Sequence, residues 1–280
     1  MYTNIKKELL RFISEDVQSG DITSVLLPKK KIKAKIISRE EGILAGVRFA
    51  REIFHLKGCH VRIMKKDGTR LKPNQVVLEV SGSARTVLSC ERTVLNLLSR
   101  MSGIATHTSF LVSKIKKINK KTSLYSTRKT APGLRYFDKE AVKIGGGHKH
   151  RMALDDMVMI KDNHLLVCNS IEDIIKKARK RHKHVEVEVE NQKDAILAAN
   201  CGATIVMLDN FSPTQIKKTI AALQKKKLRN KVKLEASGGI GSKNIAAYAK
   251  TGVDIISIGS ITNSVTGLDL SLEVCASPKK

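Results

Sequence analysis

Three stretches decide the fold: Val185-Glu186-Val187-Glu188-Val189-Glu190, Thr204-Ile205-Val206-Met207-Leu208-Asp209 and Val232-Lys233-Leu234-Glu235-Ala236. Each is a short aliphatic run, the right length for a strand and too short for a helix. The segments between them carry helix punctuation. Asn191 can cap a helix that stops at Gly202, and Ser212-Pro213 caps another with proline at its first position. The same rhythm extends to Ser123–Ser126, Met157–Ile160 and Ile255–Ile258. Strands alternating with helices imply parallel strands joined by right-handed crossovers. Six such strands are too few for a full eightfold barrel, so the pattern predicts an α/β fold with an incomplete (open) barrel.

The first hundred residues differ. The spacing predicts a helix over Asn4–Ser14, strands over Lys33–Ser38 and Val76–Val80, and a turn at Lys72-Pro73-Asn74. Ala84–Arg100, with Val87, Leu88, Val94, Leu95, Leu97 and Leu98, reads as a helix with a broad apolar face, ended by Ser102-Gly103.

Composition bounds the function. The 280 residues hold 52 Lys+Arg against 26 Asp+Glu, a net charge of +26. With 41% apolar and 28% charged residues, disorder is excluded. No stretch approaches the ~18 apolar residues of a membrane span. The opening residues alternate Lys6, Lys7, Glu8, Arg11 and Glu15 with apolar positions, unlike a signal peptide. Five scattered cysteines, never spaced Cys-x-x-Cys, argue against a disulfide framework or zinc knuckle and point to a reducing, cytoplasmic setting. The charge raises nucleic acid as a partner. Against specific nucleic-acid binding stand 4% aromatics, no Trp, and lysine clusters (114–121, 176–183, 225–233) at expected helix ends, where cations complement the helix dipole. A lysine-rich surface, or attraction of a polyanionic small substrate, explains the charge as well.

Ligand sites of α/β barrels gather at the C-terminal ends of the strands. Here those ends carry Arg128 and Lys129, then Lys161, Glu188, Asp209, Ser237-Gly238-Gly239 and Gly259-Ser260. Paired glycine loops after the last two strands suit a phosphate, because bare N–H groups can approach its oxygens; the alternative is a pair of tight turns. Glu188 and Asp209 suit a hard cation such as Mg²⁺. Glu186, Glu188 and Glu190 share one strand face, which is costly unless it meets a polar lumen, cations or solvent. Arg128, Lys129, Arg151 and Lys161 imply a carboxylate-rich or phosphorylated ligand between them. His148 and His150 have a chelating spacing, but Lys149 and Arg151 oppose a metal there, so His150 is read as an anion contact. There is no Walker A motif, and Asp155 and Asp156 read as helix-end or loop acids.

At this point the chain resembles the quinolinate phosphoribosyltransferase family over essentially its full length. The resemblance rests on Gly20-Asp21-Ile22-Thr23, Gly42-Ile43-Leu44-Ala45-Gly46, Glu91-Arg92-Thr93 and Ser102-Gly103-Ile104-Ala105-Thr106 in the first part. In the second it rests on Thr127-Arg128-Lys129-Thr130, Gly145-Gly146-Gly147, His150-Arg151, Ile160-Lys161-Asp162-Asn163-His164, Met207-Leu208-Asp209-Asn210 and Ser237-Gly238-Gly239. It implies an N-terminal α/β sandwich (1–105, completed by 266–280) and an open α/β barrel (106–265) carrying the active site. It further implies transfer of a phosphoribosyl group from phosphoribosyl pyrophosphate to quinolinate with decarboxylation, in a homodimer that could assemble further. By resemblance, Arg128, His150, Arg151 and Lys161 face the quinolinate carboxylates, with Arg92 from the neighbouring subunit. Lys129 and Lys161 serve phosphoribosyl pyrophosphate, and Glu188 and Asp209 hold Mg²⁺ and the ribose. Ser237, Gly238, Gly239, Gly259 and Ser260 cradle the 5′-phosphate. Lys149 and Asn263 depart from the family's usual Asn and His/Lys. Two rivals remain at this level: a molybdenum-transport-associated homologue of the same fold, and a basic nucleic-acid-binding protein on that scaffold.

Overall fold

The computed structural model describes residues 5–168 and 170–275. Along the chain run α1 (Ile5–Val17), β1 (Lys31–Ser38), β2 (Gly42–Ile43), α2 (Val47–Leu56), β3 (His60–Ile63), β4 (Arg70–Leu71), β5 (Val76–Ser83) and α3 (Ala84–Lys116). Then come β6 (Ser123–Tyr125), α4 (Arg135–Ile144), β7 (Val158–Ile160), α5 (Asp162–Val167), α6 (Ile171–Arg181), β8 (Val185–Val189), α7 (Gln192–Asn200), β9 (Ile205–Asp209) and α8 (Pro213–Lys225). The chain closes with β10 (Lys233–Ser237), α9 (Ile245–Ala249), β11 (Ile255–Ser257), α10 (Ser260–Asn263) and β12 (Leu270–Val274).

These elements form two compact units. The first takes the described residues up to Ser109, Tyr136–Gly146, and those from Ser264 onward. Its main sheet has the order β12-β1-β5-β3, with antiparallel pairing throughout, and β2 pairs with β4 separately. Helices α1 and α2 pack together, and α2 lies on β3 and β5. Leu9, Ile36, Ile53, Phe54 and Leu78 are fully buried, giving the sheet-and-helix sandwich its core.

Two expectations change here. Helix α3 does not stop at Ser102-Gly103 but continues to Lys116. A Cβ at Gly103 would run into Thr266 O and lie 3.0 Å from Gly267 Cα, so this glycine serves a close backbone approach rather than a helix end. Ser102 is fully buried and its hydroxyl accepts from the Ala45 N–H at 3.0 Å. Residues 136–146, expected in the barrel, group with the first unit. Phe137 stacks edge-on against Phe49 at 5.0 Å, and Asp138, without solvent exposure, receives two hydrogen bonds from Arg100 at 2.8 and 2.9 Å. Of the C-terminal segment assigned to the sandwich, β12 pairs with β1 as expected, and 276–280 lie outside the described residues.

The second unit takes Phe110–Arg135 and Gly147–Asn263. All six expected strands form, in one parallel sheet of order β6-β11-β10-β9-β8-β7. Strands β7 to β11 are neighbours in sequence order, and β11 then pairs with β6. The ring is left open between β6 and β7, where one bridge pairs Tyr125 with His148. Ser126 donates to His148 O and His148 donates to Leu124 O, so the 147–150 segment lies along the free edge of β6. The crossovers are capped as their sequences imply: Asn191 accepts from Asp194 N–H, and Ser212 makes a reciprocal cap with Gln215 around Pro213.

Candidate active site

Alternation along each barrel strand sends every second side chain into the lumen. The last inward position of four successive strands is Lys161, Glu188, Asp209 and Ser237, and the inward layer beneath includes Met159, Met207 and Glu235. With Thr127, Arg128, Lys129, His150 and Arg151 these residues line one cavity of about 350 Å³. Four fixed cations therefore border a single space, as the segment 126–164 foretells.

The site is braced from its backbone outward. Lys129 N–H donates to Thr127 Oγ1 at 3.1 Å, and Thr262 Oγ1 donates to Lys129 O at 2.8 Å, fastening the first cationic loop to the last glycine loop. A Cβ at Gly259 would meet Lys129 Cδ at 2.9 Å. Gly238 has φ +91°, and a Cβ there would lie 2.7 Å from Asn210 N, whose N–H donates to Ser237 O at 2.9 Å. Only glycine fits that turn. Arg151 directs its guanidinium to Met157 O at 3.4 Å and Met159 Sδ at 3.1 Å. Burial first, then the like charge of Arg128, lower its pKa. Arg128 lines the cavity, and its Nε is buried without a hydrogen-bond partner.

The acids divide into two groups. Glu188 forms an ion pair with Lys161 Nζ, and Asp209 Oδ2 accepts from Asn210 Nδ2 at 2.7 Å; both open to the cavity. Glu186 and Glu235 have no solvent exposure, and the His150 Nε2 lies 3.3 Å and 3.5 Å from one oxygen of each. Neither was in the sequence-derived site, although both sit two residues below a residue that was, on the same strand face. Glu190 is exposed, the solvated end of the acidic strand face.

His150, Glu186 and Glu235 are the only group of three such side chains among the described residues close enough to share a metal. The imidazole argues against one. Its Nδ1 accepts from the Arg151 N–H at 2.8 Å, so the ring proton sits on Nε2, the atom a metal would need bare. Burial pushes this imidazole down, but the two carboxylates outweigh burial and draw it up to about 9. A second ring proton would have to occupy Nδ1, facing the Arg151 N–H. That contact decides for a neutral ring donating from Nε2. Burial, then the like charge of Glu235, raises Glu186.

The remaining expected residues fall in two places. Gly238 and Gly239 follow the cavity-lining Ser237, Gly259 lies against the cavity-lining Lys129 and Ser260 opens α10; none of these four is itself a lining residue. Arg92 is exposed on α3 in the first unit and is not among the cavity's lining residues. His148 stacks on Tyr125, ring centroids 4.7 Å apart, while His150 meets the same ring edge-on at 5.8 Å. The acids between them behave as loop residues: Asp156 accepts from Met152 N–H at 2.6 Å. No helix among the described residues is long and apolar enough to cross a membrane.

Comparison with known proteins converges. A family model for the quinolinate phosphoribosyl transferase C-terminal domain matches residues 104–273, and one for the N-terminal domain matches 21–102. A probable nicotinate-nucleotide pyrophosphorylase [carboxylating] of Archaeoglobus fulgidus is 45% identical over 255 residues, 91% of this chain and 98% of that protein. Its counterpart in Bacillus subtilis is 40% identical over 99% of this chain and 95% of its own. The solved nicotinate-nucleotide pyrophosphorylase from Francisella tularensis superposes with a TM-score of 0.90 at 39% identity, covering 98% of both chains. None of these names supports the metal-transport or nucleic-acid alternatives.

Proposed function

The chain belongs to the quinolinate phosphoribosyltransferase family, and from that premise we propose how its barrel works. It transfers the phosphoribosyl group of phosphoribosyl pyrophosphate to the nitrogen of quinolinate, releasing pyrophosphate and CO₂ and leaving nicotinate mononucleotide for NAD biosynthesis. The observation that carries this reading is the gathering of four cations and two open carboxylates around one cavity.

Arg128, Arg151 and Lys161 neutralise the two quinolinate carboxylates, with His150 beside them. Lys129 and Lys161 stabilise the departing pyrophosphate charge. Ser237, Gly238, Gly239, Gly259 and Ser260 hold the 5′-phosphate and so fix the anomeric carbon against the ring nitrogen. Glu188 or Asp209 favours positive charge on the ribose as the bond to pyrophosphate breaks. Once the ring nitrogen is alkylated, the electron pair of the breaking C2–CO₂ bond stays on C2, stabilised by the adjacent cationic nitrogen, and a proton from water then takes the place of the carboxylate. No covalent nucleophile is needed.

Glu188 and Asp209 also fit a Mg²⁺ ion. Two carboxylates open to a cavity are too few to complete an octahedral shell, which suits an ion that keeps substrate phosphate oxygens and water. Bound there, Mg²⁺ supplies charge neutralisation for pyrophosphate departure. The reading includes a cytoplasmic homodimer in which Arg92 reaches the partner's cavity. It is supported by Arg92's exposure and by the free cysteines.

The test is chromatographic. Quinolinate, phosphoribosyl pyrophosphate and Mg²⁺ should yield nicotinate mononucleotide with equimolar CO₂, and EDTA should abolish it. A folded protein that forms neither product overturns the reading.

A further inference from the structure

Glu186 and Glu235 have no part in the mechanism above, yet burying two acids beside His150 is a costly arrangement. Two carboxylates without solvent exposure occupy a lumen where aliphatic side chains would pack more cheaply. None of their four oxygens has a well-aligned hydrogen-bond partner, and the nearest donor to both is a single His150 Nε2–H. His150 also carries φ +52°, a left-handed backbone that a non-glycine residue holds only when its surroundings impose it. Its second ring nitrogen receives the N–H of the very next residue, Arg151.

We propose that Glu186 and Glu235 are positioning residues for dicarboxylate binding: both face the His150 Nε2, and through His150 they fix the backbone of Arg151 at the cavity wall. The chain of contacts is continuous. The two acids orient the imidazole, the imidazole holds the Arg151 N–H, and the Arg151 guanidinium leaves that anchored backbone with contacts to Met157 O and Met159 Sδ. Tyr125, edge-on to His150, and Ser126, whose hydroxyl donates to Lys149 O at 2.8 Å, hold the other side of the segment. The Arg151 cation that faces quinolinate is thus set from beneath, by residues that do not touch the substrate.

This inference rests on the proposed placing of quinolinate beside Arg151, and the experiment separates the two. Steady-state kinetics would compare wild type, Glu186→Gln, Glu235→Gln, the double variant, Arg151→Lys and His150→Gln. The double variant should raise the quinolinate KM about tenfold, with kcat and the phosphoribosyl pyrophosphate KM within about twofold. In the His150→Gln background the same two substitutions should add nothing, because their effect passes through that ring. Nitrogen-15 NMR of labelled histidine should show His150 protonated on Nε2 alone in wild type and a tautomer mixture in either single variant. An unchanged quinolinate KM in folded variants, or effects that multiply with His150→Gln, overturns the inference. An Arg151→Lys variant with wild-type quinolinate KM overturns the placing beneath it.

Discussion

The turn at Ser237-Gly238-Gly239 offers an internal contrast. Gly238 and Gly239 both have positive φ, +91° and +59°, so an alanine at either incurs backbone strain of about 1–2 kcal/mol. Their surroundings differ. A Cβ at Gly239 meets nothing within 4 Å, whereas one at Gly238 lies 2.6 Å from Asn210 Cγ and 2.7 Å from Asn210 N. That nitrogen already donates to Ser237 O, so it has no room to retreat. Reaching an ordinary carbon–nitrogen contact requires the turn to move by roughly 0.7 Å, enough to break a phosphate hydrogen bond. A hydrogen bond to a charged group is worth about 1.5–3 kcal/mol, or roughly ten- to hundredfold in affinity. Gly238→Ala should therefore raise the phosphoribosyl pyrophosphate KM by about that factor, and Gly239→Ala by less than about threefold. Quinolinate affinity, measured by calorimetry, should stay within about twofold in both. Equal kinetic effects of the two alanines, or an equal loss of quinolinate affinity, would refute the phosphate role of this turn.

Other outcomes follow from the same geometry. Quinolinate should turn over at least about a hundredfold faster than nicotinate, because one carboxylate leaves cations around the cavity unpaired; equal rates would sink the charge assignment. Arg92→Ala and Lys161→Ala should each be nearly inactive, from loss of a charge-assisted contact of ~1.5–3 kcal/mol. Co-refolded in equal amounts they should recover about a quarter of wild-type activity if Arg92 acts in the partner's site, and nothing if it serves its own. Native protein should react with a thiol reagent first at exposed Cys168, while buried Cys59 and Cys90 wait for unfolding. Burial raises the Cys90 thiol to about 11, so the stability it brings is complete below the unfolded value of ~8.5 and is lost as pH rises from there toward 11. A Cys90→Ala variant should show a flatter decline of stability in denaturant titrations over that window.

The strand ends were legible because alternation and punctuation are local signals. Val185–Val189 alternates so strictly that its inward face is readable without a structure, and Lys161, Glu188, Asp209 and Ser237 do end adjacent strands around one cavity. What escaped depends on partners distant in sequence. Gly103 looks like a helix stop until Thr266 is seen against it, and α4 looks like a barrel helix until Arg100 is found holding Asp138. Glu186 was visible on the acidic face of its strand, whereas Glu235 was not singled out. Their joint hold on His150 was not legible, because it needs the register of two strands and the bridge at Tyr125.

The strand order also sets a timetable for synthesis. Both main sheets wait for the end of the chain: β1 is paired by β12 on one edge, and β6 finds its only full strand neighbour in β11. While a ribosome is still delivering the 130 or so residues between β6 and β11, the edge of β6 stands open to any other nascent strand. Immediately before that strand lie Lys114, Lys116, Lys117, Lys120 and Lys121. Like charges flanking an unpaired edge repel a second copy of it, which is how gatekeeper residues suppress aggregation. Lysines in that position would serve the chain in the interval before β11 arrives, and not afterwards.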